Sequence, residues 1–170
     1  MPEVHLRPLV LSDLPHVLKW SRDEAFCQAH GWPVGLPSEQ LQDWFVRLLN
    51  NPPVDLVRKG IVVVTPQHPE GHLVGFVDLR ELNPLEKRAR LRIALGEETH
   101  PEQEVAYTAG LQMLAHGFTE LGLERITAEA HGSNIQMRDL FEKLGFKCEG
   151  TLRQHETRQG IKEDLHTVSA

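Results

Sequence analysis

Apolar positions along the chain change period several times, and each change predicts an element. Residues 4–9 alternate as a short strand that ends at Pro8. Leu11-Ser12-Asp13-Leu14-Pro15 then opens a helix that carries Val17, Leu18 and Trp20. Ser12 or Asp13 supplies a cap, and proline is tolerated in a first turn because its missing N–H has no helical partner to lose. Residues 31–37 read as a loop, and 25–37 and 52–60 as two loop segments without a diagnostic pattern. Ser38-Glu39-Gln40-Leu41 caps a second helix with Leu41, Trp44, Phe45 and Leu48 on one face, and Asn50-Asn51-Pro52-Pro53 stops it. Residues 61–65, 73–82 and 89–95 read as three strands joined by short turns, an antiparallel meander.

A long helix follows over residues 101–121. Pro101 suits its first position, Thr99 or His100 its cap, and Ala109, Met113, Leu114 and Phe118 its core stripe. Gly122 ends it. Residues 126–130 alternate as a strand, and His131-Gly132-Ser133-Asn134 is a turn with capping side chains. Met137, Leu140, Phe141 and Leu144 fall at i, i+3, i+4 and i+7, one apolar helix face. Gly145 takes the left-handed C-cap, and the next strand starts at Phe146. A hairpin turn over 158–162 leads into a last strand over 162–168. The order is βαα-βββ-α-β-α-ββ. The strand–long helix–strand unit gives one right-handed parallel crossover in an otherwise antiparallel sheet. The class is α/β (α+β), one domain over residues 1–170, with no linker or repeat dividing it.

Composition narrows the function classes. With 40% apolar and 25% charged residues the chain is an ordinary globular one. No apolar run reaches the roughly 18 residues of a membrane span, and the start of the chain shows no signal peptide, so a cytoplasmic location is expected. The net charge of −6 argues against a nucleic-acid backbone binder and suits, weakly, an amine substrate. The two cysteines, Cys27 and Cys148, are far apart and read as reduced thiols. The ten histidines show no metal-ligand spacing, and most are expected at the surface, so no metal is expected.

The run Asn134-x6-Phe141-Glu142-Lys143-Leu144-Gly145-Phe146, followed by Glu149-Gly150-Thr151-Leu152-Arg153, resembles the end of the GNAT acyltransferases. It fixes a cap, a helix length and a following strand together. The similarity is to the branch that acetylates protein N-termini and small amines, the RimJ/RimL type, whose beginning Leu6-Arg7-Pro8 and Asp13-Leu14 also resemble. The resemblance covers nearly the whole chain. It implies a mixed sheet of about seven strands with helices on both faces, and direct acetyl transfer from acetyl-CoA to a primary amine on a peptide N-terminus or a small molecule. A homodimer follows from family habit. It also implies that Ile93, Ala94 and Leu95 bind pantetheine through backbone groups, that Asn134 holds it from the opposite wall, that Lys143 helps with phosphate, and that the diphosphate sits on the start of the long helix, over Gln103, Val105, Ala106 and Tyr107.

The chain departs from the family at three points. Where relatives have Arg-Gly-x-Gly-x-Gly/Ala, it has Pro101-Glu102-Gln103-Glu104-Val105-Ala106. Glutamates stabilise a helix start, but they oppose a diphosphate. The tyrosine that serves many relatives as acid toward the thiolate is matched by Phe141, which has no proton to give. The carboxylate often found on the strand before the long helix is matched by Arg90, with Arg88 and Arg92 nearby. Replacement bases near the rim are His131, Glu97 or Glu98, and Ser133 is a replacement donor. The rival reading is a GNAT-fold binding or regulatory module that has lost its affinity for CoA.

Overall fold

The computed structural model describes residues 3–97, 102–131, 135–158 and 161–169. The elements run β1 (Glu3–Arg7), α1 (Leu14–Ser21), α2 (Glu24–His30), α3 (Ser38–Asn50), β2 (Val57–Val64), β3 (His72–Asn83) and β4 (Arg88–Leu95). Then come α4 (Glu102–Ala115), β5 (Arg125–His131), α5 (Ile135–Lys143), β6 (Lys147–Arg158) and β7 (Ile161–Ser169). A 3-10 turn (Leu11–Asp13) precedes α1, and a π turn (His116–Glu120) prolongs α4. One seven-stranded sheet has the order β1-β2-β3-β4-β5-β7-β6. All neighbours are antiparallel except β4 and β5, which are parallel and joined through α4. This is the expected architecture.

Strand parity divides the side chains between two faces. One face carries Val77, Leu79, Leu91, Ile93, Ile126 and Ala128 under α4 and α5, whose Val105, Ala109, Met113, Leu140 and Phe141 complete an aliphatic core. Gln112 of α4 donates to the Val4 carbonyl at 2.9 Å, which ties the helix to the far edge strand. Gly110 brings α5 close: a Cβ there would stand 2.9 Å from a Leu144 methyl. Gly145 ends α5 at φ 95°, a conformation that only glycine adopts without strain.

The other face carries Val62, Leu73, Phe76 and Ala94 under α1–α3 and packs on Val17, Trp20, Phe26, Trp32 and Phe45. Trp32 stacks on Phe76 at 5.5 Å, and Phe26 meets Trp32 edge-on at 5.1 Å. Cys27 is buried among them as a free thiol. Burial, then the nearby Asp23 and Glu24, push its pKa up, so it is unreactive.

Four expectations need correction. Ser38 does not cap α3: it is the first residue of the helix, Pro37 stands at the N-cap, and no side-chain bond closes that end. Helix α2 lies in a stretch read as part of an irregular loop. Asp23 caps it by accepting from the Phe26 N–H at 3.1 Å, and Gly31 closes it at φ 69°. Strand β2 begins at Val57, inside the second presumed loop, because Arg58 pairs in register with Asp78. Asp13 does not cap α1 with its side chain. Its buried carboxylate binds Arg7 through two bonds of 2.8 Å and the Val10 N–H at 2.9 Å, clamping β1 to α1. Burial opposes ionisation of Asp13, yet these bonds hold it below the usual carboxylate range.

Candidate active site

The central feature is the parting of β4 from β5. They pair over Arg88↔Arg125, Ala89↔Ile126 and Arg90↔Thr127 only. Beyond Arg90, β4 keeps its antiparallel partner: Ile93, Ala94 and Leu95 lie opposite Val77, Phe76 and Gly75 of β3. Toward β5 the same stretch has no strand partner among the described residues, so peptide groups on that edge are available to a ligand. Ile93 and Ala94 send their side chains into opposite cores, so what they offer the cleft is backbone.

The cleft leads to the start of α4, whose first N–H groups lack helical partners and carry the positive end of the helix dipole. Val105 and Ala106 are buried, while Glu102, Gln103 and Glu104 are exposed. Gln103, Glu104 and Tyr107 of α4 meet Lys143 of α5 around a depression of about 340 Å³. Three of the residues expected to contact the cofactor, Gln103, Tyr107 and Lys143, thus share one groove. The approach of α5 to α4 at Gly110 makes this possible, because it brings the end of α5 over the first turns of α4.

Glu97 lies just past β4. Its N–H and that of Gly96 donate to the Val74 carbonyl at 3.1 and 2.8 Å. Its carboxylate accepts from Lys19 at 2.7 Å and from the Trp20 indole at 3.2 Å, with His16 Nδ1 at 3.6 Å. Burial works against its ionisation, but the bonds from Lys19 and Trp20 outweigh it and lower its pKa. Glu97 is therefore charged, committed to α1 and weakly basic toward an incoming ammonium. His72 stacks on His68 at 4.6 Å and meets His16 edge-on at 5.4 Å; His16 and His72 are half-buried, while His68 is exposed as expected. Burial, then the His68 and His16 rings, hold His72 below the ordinary imidazole range.

Phe141 is a core ring against Phe146 at 5.4 Å. Arg90 holds Glu129 of β5 at 2.7 Å and Glu81 at 3.4 Å, bridging the strands where they part. The backbone of His131 ends β5. Glu98, Pro101, Ser133 and Asn134 lie outside the described residues. Sequence reasoning overlooked Arg58 and Asp78, whose two hydrogen bonds of 2.7 and 2.9 Å lie in the sheet with the guanidinium 4.5 Å over the Phe76 ring. The available signal was Asp78 itself, a lone carboxylate in an apolar strand run that required a cation across the sheet.

The model of the acetyltransferase (GNAT) domain family matches residues 3–147. A ribosomal-protein-serine acetyltransferase of Escherichia coli is 28% identical over 140 residues, 82% of this chain and 75% of that protein. An uncharacterised N-acetyltransferase of Bacillus subtilis is 30% identical over 97 residues, 57% of this chain. That match spans 54% of the Bacillus protein, about half its length. Among solved structures, a Vibrio cholerae spermidine N-acetyltransferase in complex with CoA and spermine superposes with a TM-score of 0.82 at 20% identity, covering 98% of this chain and 94% of that one.

Proposed function

The chain belongs to the GNAT acetyltransferase family, and on that premise we propose that it transfers an acetyl group from acetyl-CoA to a primary amine by direct attack. The observation that carries this reading is the parting of β4 from β5 beyond Arg90, which leaves a polar strand edge running toward the groove of Gln103, Tyr107 and Lys143. Pantetheine lies along Ile93 to Leu95, bonded to their backbone. The diphosphate lies at the start of α4 beside Lys143, and the proposed contact of Asn134 completes the opposite wall. Relatives that act on spermidine and on a ribosomal protein support an amine acceptor, either a small molecule or a peptide N-terminus. A cytoplasmic location goes with the acetyl-CoA supply. Self-association is part of the reading, supported by β6, a twelve-residue strand at the sheet edge.

The chemistry asks little of the protein. The amine must arrive neutral, the thioester must be placed, and the thiolate must be protonated or stabilised. Arg90 stands at the crotch of the cleft, held by Glu129 and Glu81, and a guanidinium cannot take the proton of an incoming ammonium. Of the replacement groups expected from sequence, Glu97 is held by Lys19 and Trp20, which leaves His131 or Glu98 as the proposed base and Ser133 as the proposed donor.

The test is amine-dependent release of the CoA thiol, with acetylated product identified by mass. Release that rises and saturates with amine concentration is expected. A second reading, a binding module, draws on one observation, the two exposed glutamates where a phosphate cradle would stand. It predicts that acetyl-CoA neither turns over nor raises the melting temperature.

A further inference from the structure

The cleft opens on two faces of the sheet. One leads to α4 and α5; the other, past the aromatic cluster, is lined by arginines. Strand register places them in two rows. Arg58, Asp78 and Arg92 lie side by side across β2, β3 and β4, and Arg80, Arg90 and Thr127 lie side by side across β3, β4 and β5. Directly paired residues project from the same face, as do residues two apart, so all four arginines share it.

Three carboxylates near these arginines are already taken. Asp78 is bound by both arms of Arg58. Glu129 and Glu81 are both bound by Arg90, at 2.7 and 3.4 Å. Arg80 and Arg92 have no ion pair or hydrogen bond among the described residues, though they stand diagonally across one strand pair. Arg92 is half-buried, and burial and then Arg80 lower its pKa, an effect that the nearby Asp78 and Glu129 offset only in part. The Nε of Arg90, buried in the same row, also has no acceptor among the described residues. An enclosed cation without a counter-ion is costly, and an anion delivered by a ligand would relieve that cost.

We propose that the acceptor is a primary amine that also carries an anionic group, a carboxylate or a phosphate, which docks on Arg92 and Arg80 while the amine enters the cleft. This rests on the acetyl-transfer reading above. Arg92 lies two residues beyond the last β4–β5 pair, so its side chain borders the mouth of the cleft on the side away from α4. A guanidinium fork binds either oxyanion through paired hydrogen bonds. The same two cations repel a polyamine, whose second ammonium would stand where the anion docks. The chain as a whole is acidic at −6, so this basic patch is local and is not a reflection of overall composition.

The experiment compares three short primary amines as acceptors with acetyl-CoA: 1,3-diaminopropane, β-alanine and 3-aminopropyl phosphate. In the wild type the two anionic amines should exceed the diamine in kcat/KM by about tenfold or more, the scale of one charge-assisted contact. The arms separate carboxylate from phosphate. In Arg92→Gln the ratio of anionic amine to diamine should fall by about tenfold, with the change in KM, and Arg92→Lys should restore part of it. Equal or better use of the diamine by the wild type would overturn the proposal, as would a uniform loss for all three acceptors in a folded Arg92→Gln. A binding readout covers failure of turnover: β-alanine and 3-aminopropyl phosphate are titrated while the arginine Nε–H resonances are followed. Shifts at Arg80 and Arg92 without acetylation would keep the anion site and reject the transferase reading. Acetylation of the diamine without such shifts would do the reverse.

Discussion

The two faces of the sheet use the same strands in different ways. Under α4 and α5 the face is a single aliphatic core from Val4 to Phe146, built from residues at regular helix and strand spacing. Under α1–α3 it is divided. One end is an aromatic cluster of Trp20, Phe26, Trp32, Phe45 and Phe76, and the other is the arginine rows. Arg58 joins the two ends, bonded to Asp78 and lying over Phe76. The difference shows where a cleft of this kind is free to specialise. The aliphatic face must hold α4 and α5 in place for a cofactor, while the second face has room for charge.

The largest effect that would break this contrast lies at its junction. Phe76→Ala removes the ring shared by Trp32, Phe26 and Arg58 and should cost about 3–5 kcal/mol in denaturant unfolding with an unchanged slope. A smaller loss than that of Met113→Ala on the opposite face would mean that the aromatic cluster is not the stabilising unit of its face. Next comes Asp78→Leu, which leaves Arg58 in the sheet without its partner. A loss of about 3 kcal/mol is expected, and adding Arg58→Met should recover most of it, because a buried pair is costly chiefly when broken. If the double variant is as unstable as the single one, the pair is a positive contributor in its own right.

The acid limb of stability sharpens the contrast further. Asp13, Glu97 and His72 all have pKa values lowered in the fold, and all belong to the β1, α1 and upper-sheet side. A lowered pKa means that the folded state binds fewer protons than the unfolded one, so stability is full above the unfolded values and declines as pH falls. The His72 part should be lost first, through the imidazole range, and the Asp13 and Glu97 parts below the usual carboxylate range. In Glu97→Gln the acid limb should lose a step of less than about 1 kcal/mol, since Lys19 is largely exposed. A melting profile against pH that matches the wild type would remove Glu97 from this set.

The smallest expected effect belongs to the cofactor face. Replacing Glu102 and Glu104 together by glycine removes two negative charges from the start of α4 and admits closer approach of its amides. Acetyl-CoA should bind a few-fold more tightly at low salt, with the gain fading near 1 M, where the Debye length is about 3 Å. The melting temperature should drop, because glycine is a poor helix former and first-turn acids favour the helix. Unchanged affinity in the folded double variant would show that these glutamates do not limit binding.

The aliphatic face was the legible one. Met137, Leu140, Phe141 and Leu144 at helical spacing, with Gly145 behind them, announced α5 and its cap, and alternation announced β4 and β5. The second face was hidden for a physical reason. Helix α2 has only seven residues, too few for a period to register, and its signals were the Asp23 cap and Gly31. The start of β2 was masked by Arg58 and Lys59, polar residues whose place in a strand is justified only by a partner across the sheet. Pairing across strands is non-local, so Arg58–Asp78 and the arginine rows emerge only when the register is known. For the candidate site, the sequence located the strand edge, the start of α4 and Lys143. It could not foresee that Lys19 and Trp20 would occupy Glu97.

Titration of acetyl-CoA followed through backbone amide resonances tests the central claim most directly. Saturable shifts should concentrate on Ile93 to Leu95, on Gln103 to Tyr107 and around Lys143, and should leave the aromatic cluster under α1–α3 unmoved. Shifts centred on the aromatic cluster, or no saturable shift up to millimolar ligand, would contradict it.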